Sequence, residues 1–291
     1  MSPVSNIPHL TDLDADLNMT SDHHFNYYSP HDFHSNHDII ECSSNPQSFS
    51  ALNCNIRSLA ANYDNLLQMI SELDFSFSLI GLSETKLKFD KDHVANVNLN
   101  GYNFISEPSI SNAGGVEFYI KNNLNYVVRS EFTLSDSDYE ALWIEIQLVG
   151  QSNIICTVMC RHPNGNLDNF MNNVNSTTEK IHHENKQCLI MGDFNIDLLR
   201  IDDHSDSENF INTLGSFCFQ SQIIQPTQIT SHSATLIDNI FFNSIEHFII
   251  SGNIVCDLTD HLPNFIIFNK FASLPSNVKA NLHHKIIVYN S

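Results

Sequence analysis

The apolar run Cys188-Leu189-Ile190-Met191 stops abruptly at Gly192-Asp193-Phe194-Asn195, and that stop constrains the fold more than any other feature of the chain. So short a run suits a buried strand, and its end delivers a carboxylate and a carboxamide to the rim of a cleft. A period of two puts Asp193 and Asn195 on the same side of the chain, and Gly192 permits close backbone approach. One group able to take a proton, beside one able to orient a water, suits hydrolysis at phosphorus. The same letters also suit a strand end followed by an Asx turn. Partners elsewhere in the sequence have to decide.

The same texture recurs along the chain. Ser50 to Ile56 alternates like a strand and leads into Arg57-Ser58-Leu59. Leu66, Leu67, Ile70 and Leu73 then stand at helical spacing, and Phe77 to Ser83 reads as a buried strand ending in Glu84-Thr85-Lys86. That order of strand, helix, strand suggests a crossover connection. Further strands are expected over 102–105, over 116–120 after Gly114-Gly115, over 139–148, over 153–159 and around Met191. Helices are expected over 168–184 and 206–219, with short strands over 235–242 and 264–268. So many strands with so few helices exclude a helical bundle and suit two packed sheets with helices outside.

Charge narrows the partners. The formal net charge is -20, from 13 basic and 33 acidic residues. Tight nucleic-acid binding normally shows a basic footprint, and none is visible here. Solvated faces account for most of the acid excess, leaving room for a few carboxylates around a divalent metal. The seven cysteines (42, 54, 156, 160, 188, 218, 256) are scattered, with no Cys-x-x-Cys pair, and read as free thiols in a reducing compartment. The polar start Met1-Ser2-Pro3-Val4 lacks a secretory pattern, and no apolar run is long enough to cross a membrane. An intracellular, non-secreted chain, nuclear or cytoplasmic, is expected.

Residues 1–48 carry seven acids, six histidines (9, 23, 24, 31, 34, 37) and no Lys or Arg, and are expected to form a disordered arm with solvated imidazoles. A domain is expected over 49–270 and a tail without acids over 271–291. Nothing after Phe268 resembles a reverse transcriptase, and the sequence carries no mark of an oligomeric state.

Several polar residues stand at the ends of apolar strands: Asn55, Glu84, Asp193 with Asn195, Asp238, and Asp260 with His261. Each has a bland role open to it, as turn former, cap or loop polarity. Their order is more specific. Leu52-Asn53-Cys54-Asn55-Ile56-Arg57-Ser58-Leu59, then Leu82-Ser83-Glu84-Thr85, Gly114-Gly115-Val116, Gly192-Asp193-Phe194-Asn195, Leu236-Ile237-Asp238-Asn239 after Pro226-Thr227, and Thr259-Asp260-His261-Leu262-Pro263 together resemble the endonuclease/exonuclease/phosphatase superfamily. Within it the text is most similar to the apurinic-like endonuclease domain of non-LTR retrotransposons.

The resemblance implies a four-layer α/β sandwich: two mixed β-sheets packed face to face, with flanking helices and the strand-end residues on one rim. It implies metal-dependent phosphodiester hydrolysis, with Glu84 as principal ligand of Mg2+ (Mn2+ as a substitute), Asn55 beside it, and Asp260 completing the metal and water network. Asp193 would activate or position the attacking water and Asn195 would orient it. His261, with Asp238 on its other ring nitrogen, would hydrogen-bond or protonate the phosphoryl oxygen. A DNA endonuclease nicking one strand is the leading expectation. A decayed, inert domain and a phosphatase or phosphodiesterase of small molecules or lipids are the alternatives.

Four positions depart from the pattern. Cys160, in Cys160-Arg161-His162-Pro163, stands where the family carries a tyrosine whose phenol donates to phosphate; a thiol is a poor donor. Glu117 adds an acid where a small residue is expected, Gln228 replaces a basic residue, and Arg57 replaces the acidic ligand of some relatives.

Overall fold

The computed structural model describes residues 27–87, 97–107, 114–148, 150, 152–244 and 247–270. In chain order the elements begin with β1 (Tyr27–Tyr28), α1 (Pro30–Ser35), α2 (His37–Ser44), β2 (Phe49–Asn55), α3 (Leu59–Leu73) and β3 (Leu79–Ser83). Next come β4 (Tyr102–Glu107), β5 (Val116–Lys121), β6 (Asn125–Val128), β7 (Leu134–Ser135), β8 (Tyr139–Gln147) and β9 (Ile154–Arg161). After α4 (Leu167–His183), β10 (Gln187–Asp193) and α5 (Ser205–Gly215) come β11 (Gln220–Ser221), β12 (Gln228–Ile229) and β13 (Ala234–Thr235). The last three strands are β14 (Asp238–Phe242), β15 (His247–Ile254) and β16 (Asn264–Lys270).

Two seven-stranded mixed sheets form. One runs β1-β15-β16-β2-β3-β5-β4; the other runs β11-β14-β10-β9-β8-β6, with β7 also on β8. Alternation along β2 explains why they stack. Phe49 and Ala51 enter the core shared with the second sheet, while Leu52 and Cys54 enter the core beneath α3. Across the sheets the rings of Phe242 and Phe268 stack at 4.6 Å. Helices α1 to α3 cover the first sheet and α4 and α5 the second, through Leu66, Met69 and Leu73 on one side and Phe170, Val174, Phe210 and Leu214 on the other. This is the four-layer sandwich with flanking helices. Two parallel pairs, β2 with β3 and β9 with β10, end at the same rim and place their carboxyl ends there.

The expected disorder of residues 1–48 does not hold for residues 27–48; residues 1–26 and 271–291 lie outside those described. Ser29 caps α1 reciprocally with Asp32, Asn36 caps α2, and β1 pairs in parallel with β15. Phe33 is fully buried, with its ring against Tyr28, Phe75 and Phe265. Burying that one ring contributes about 2 kcal/mol, which a solvated arm would forgo. Strands β6 and β15 were not expected either: β6 is a mostly exposed edge with no alternation to read. All seven cysteines are free. Among the described residues no helix is long and apolar enough to cross a membrane.

Candidate active site

The rim residues of the second sheet stand in one cross-strand row. Glu140 on β8 pairs with Cys160 on β9, Cys160 with Asp193 on β10, and Asp193 with Asp238 on β14. Cross-strand partners share a face, so the row looks across to Asn55 and Glu84 at the end of the first sheet. Gly192 makes the close strand approach possible: its φ is 149°, and a Cβ there would run into the backbone of Met159.

Asn55 joins the two sheets. Its Nδ2 donates to Glu84 Oε1 at 3.0 Å and to Asp193 Oδ2 at 2.8 Å, while its Oδ1 accepts from Arg57 N at 3.2 Å. Asp193 is fully buried; burial first, and then the charge of Asp238, push its carboxyl up to about 8. At the far end His261 Nδ1 lies 2.8 Å from Asp238 Oδ2. Burial opposes the imidazolium, but the Asp238 charge and hydrogen bond outweigh it and raise His261 to about 9. Thr227 Oγ1 also donates to Asp238 Oδ2 at 2.8 Å, leaving Asp238 Oδ1 buried without a partner.

The period-two expectation for Asn195 fails. The strand ends at Asp193, and Asn195 turns left-handed with φ 49°. Its amide donates to Asp193 Oδ1 at 2.9 Å, an Asx turn, and its Nδ2 donates to Arg161 O at 2.7 Å. Arg161 answers through Nε to Phe194 O and Nη2 to Asn195 O, both at 2.7 Å, so the segment is clamped to β9. The Asp260 carboxylate pairs with Arg57 at 2.9 Å and accepts from Gln228 Nε2 at 3.1 Å. Glu117 adds no charge at neutral pH. Its burial pushes the carboxyl up to about 8.

Three residues act here that strand-end reasoning did not single out. Thr227 steadies Asp238, and Gln228 Nε2 lies 3.0 Å from His261 Nε2. Thr259 Oγ1 donates to Asn55 O at 3.0 Å and accepts from His261 N at 3.1 Å, tying the end of β2 to the connection that carries His261. Pro226-Thr227 and Thr259 lie inside the quoted motifs, which is the signal that could have found them. Cys160 is buried beside Asp193, and burial holds its thiol far above the usual range, leaving a neutral, weak donor.

The donors fit a divalent cation. Glu84 is half-buried, beside Asn55 and within electrostatic reach of Asp193, and the orphaned Asp238 Oδ1 marks a polar site lacking a partner. Donor atoms of Asp193, Asp238 and His261 also lie within 4.8 Å of one another. On α2 His37, Asp38 and Glu41 gather similarly, but all three are exposed.

The sequence pattern described as the endonuclease/exonuclease/phosphatase family matches residues 47–261. The chain belongs to this family. As an endonuclease/exonuclease/phosphatase protein it is a hydrolase of phosphodiester bonds. The sandwich is similar to the endonuclease domain of TRAS1, a telomere-specific non-LTR retrotransposon, at 14% identity over 77% of this chain and 98% of that one, with a TM-score of 0.57. It is similar to the AP endonuclease LMAP from Leishmania major at 14% identity, 77% and 88% coverage and a TM-score of 0.59. The Xenopus laevis APE2 catalytic domain matches at 18% identity, 78% and 94% coverage and a TM-score of 0.58. At these identities the likeness is one of fold. Comparison with curated protein sequences gives no match.

Proposed function

We propose that this endonuclease/exonuclease/phosphatase protein is a metal-dependent DNA endonuclease that nicks one strand and leaves a 3′ hydroxyl, as retrotransposon-type domains do. The observation that carries the reading is the buried Asp238–His261 pair, 2.8 Å apart, placed one strand away from Asp193. Glu84 and Asn55 would hold the cation, Mg2+ or its substitute Mn2+, because a hard ion that keeps most of its waters needs only one or two carboxylates. When bound it would neutralise charge on the phosphoryl oxygens. Asn55 would have to turn its amide, since Nδ2 now faces both carboxylates.

Once ionised, Asp193 takes or orients the proton of the attacking water. Burial and Asp238 hold it toward the neutral form, while the donors Asn55 and Asn195 favour the carboxylate, so the step gains as pH rises. Asn195 orients that water, with its loop clamped by Arg161. His261, held through Nδ1 by Asp238, presents Nε2 to the phosphoryl oxygen, which takes the place now held by the Gln228 amide. Asp260 sets the rim charge through Arg57. The neighbouring fold of a retrotransposon endonuclease domain and of AP endonucleases supports DNA as substrate. With 13 basic residues in the whole chain, binding is weak and its salt slope shallow.

A second reading, a weakened enzyme, is favoured by the buried thiol of Cys160. Loss of one preorganised donor typically costs about two to three orders of magnitude in rate.

Plasmid relaxation tests the proposal. Nicked circles should form with Mg2+, vanish with chelator, and fall by at least about 10²-fold in Glu84→Ala. Full nicking by Glu84→Ala would remove the metal assignment.

A further inference from the structure

Glu140 belongs to none of the motifs, yet it is one of the most completely buried carboxylates in the protein, at the end of the cross-strand row. An ionisable group is not kept in such a place by packing alone, since burying it is costly unless it is hydrogen-bonded. Its partner is the Gly114-Gly115 turn. Oε2 accepts from Gly115 N at 2.6 Å, and the carboxylate lies so close over Gly114 that any Cβ there would overlap both oxygens.

The turn in turn grips the segment that carries Glu84. Gly115 O accepts from Thr85 N at 3.3 Å, and Gly114 O accepts from Lys86 N at 2.7 Å. That segment is strained: Glu84 and Lys86 both sit in the left-handed region, with φ of 53° and 56°. Non-glycine residues remain there only where the surroundings over-determine them. Gly115 is itself committed, with φ 103° and the Thr85 hydroxyl where a Cβ would be. The chain of contacts runs from a buried carboxylate, through a two-glycine turn, to the backbone on either side of Glu84. His162 completes the arrangement, its Nε2 3.6 Å from Glu140 Oε1 and its imidazole raised above its ordinary value by that carboxylate.

We propose that Glu140 is the positioning residue for Glu84: by anchoring the Gly114-Gly115 turn it sets the left-handed backbone from which the Glu84 carboxylate reaches the cation. The proposal rests on the reading of Glu84 as the cation's ligand. It concerns acceptor geometry, so side-chain length matters more than charge. Glutamine keeps an acceptor oxygen at the same reach, and its amide nitrogen can donate to neutral His162. Aspartate keeps the charge but withdraws the oxygen by one methylene.

Two measurements on the full chain test this. Mn2+ binding, read by electron paramagnetic resonance, should weaken by about tenfold or more in Glu140→Asp and stay within about threefold of the parent in Glu140→Gln. Amide hydrogen exchange should quicken by about tenfold or more at Thr85 and Lys86 in Glu140→Asp, while amides of β9 keep their protection. Parent-like behaviour of Glu140→Asp in both measurements overturns the proposal, as does a Glu140→Gln protein that loses as much as Glu140→Asp. Lowered melting temperatures with unchanged Mn2+ affinity would mean a structural role only and also overturn it. Mn2+ affinity that does not change in Glu84→Ala would count against the cation reading instead, and the exchange measurement still decides whether Glu140 holds the segment.

Discussion

The two ends of the cross-strand row are built alike and finished differently. At one end Asp238 grips His261 at 2.8 Å, with Thr227 steadying the carboxylate. At the other end Glu140 faces His162 at 3.6 Å, and the residue between that pair and Asp193 is a buried thiol. The first pair holds an imidazole ready for a developing negative charge. The second spends its carboxylate on a backbone turn, and its neighbour on the row is the weakly donating Cys160 thiol. On the proposed reading, one end of the rim handles protons through His261, and the other keeps its scaffold with a thiol in place of a phosphate donor.

Two experiments bear on that contrast, and a third on Glu117, whose carboxyl feels the charge of Glu140. The largest effect is expected at the His261 end, where His261→Ala should lower nicking by about 10³-fold and, by stranding the buried Asp238 carboxylate, should lower the melting temperature as well. A smaller loss would mean that the two ends are equally impaired. At the other end Cys160→Tyr should raise the nicking rate by about 10²-fold, by restoring a phenolic donor. No gain, in a folded variant, would place the difference between the ends elsewhere than in Cys160.

The smallest effect concerns Glu117, whose carboxyl is pushed up to about 8 by burial. Unfolded, the group ionises near the ordinary glutamate value of 4.5. Its contribution to stability is therefore complete below that pH and is lost as pH rises through about 8. Glu117→Gln should flatten the fall in melting temperature over this window and melt about 5 °C above the parent at pH 8.5. Parallel pH curves for the two proteins would contradict the assignment.

The sheets, and the clustering of the polar residues at their rim, were legible for the same reason. Buried strands of five to nine residues leave an apolar run; Asn55, Glu84 and Asp193 sit where those runs stop, and Asp238 where β14 begins. What failed to show depends on contacts between segments distant in sequence. Asn195 left the expected face because its loop is clamped by Arg161, 34 residues away. Glu117 reads as a charge in the sequence and becomes neutral only through burial. Glu140 looks like any polar residue at a strand start, because its partner is a backbone amide 25 positions back. Helices α1 and α2, of six and eight residues, are too short for a period to emerge. Their local traces were the Ser29…Asp32 cap, Pro30 and the Asn36 cap, easily passed over in an acidic, polar stretch.

The segment that looked like an arm has a consequence for aggregation. Strand β1 covers one edge of the first sheet by pairing with β15, and Phe33 fills the hollow between Tyr28, Phe75, Phe77 and Phe265. Unpaired sheet edges are templates for other chains. A fragment beginning at residue 47, where the family match starts, would bare the β15 edge and the aromatic patch of Phe75, Phe77 and Phe265 together. The stretch from Tyr27 to Ser35 therefore guards the sandwich against sticking to its own copies.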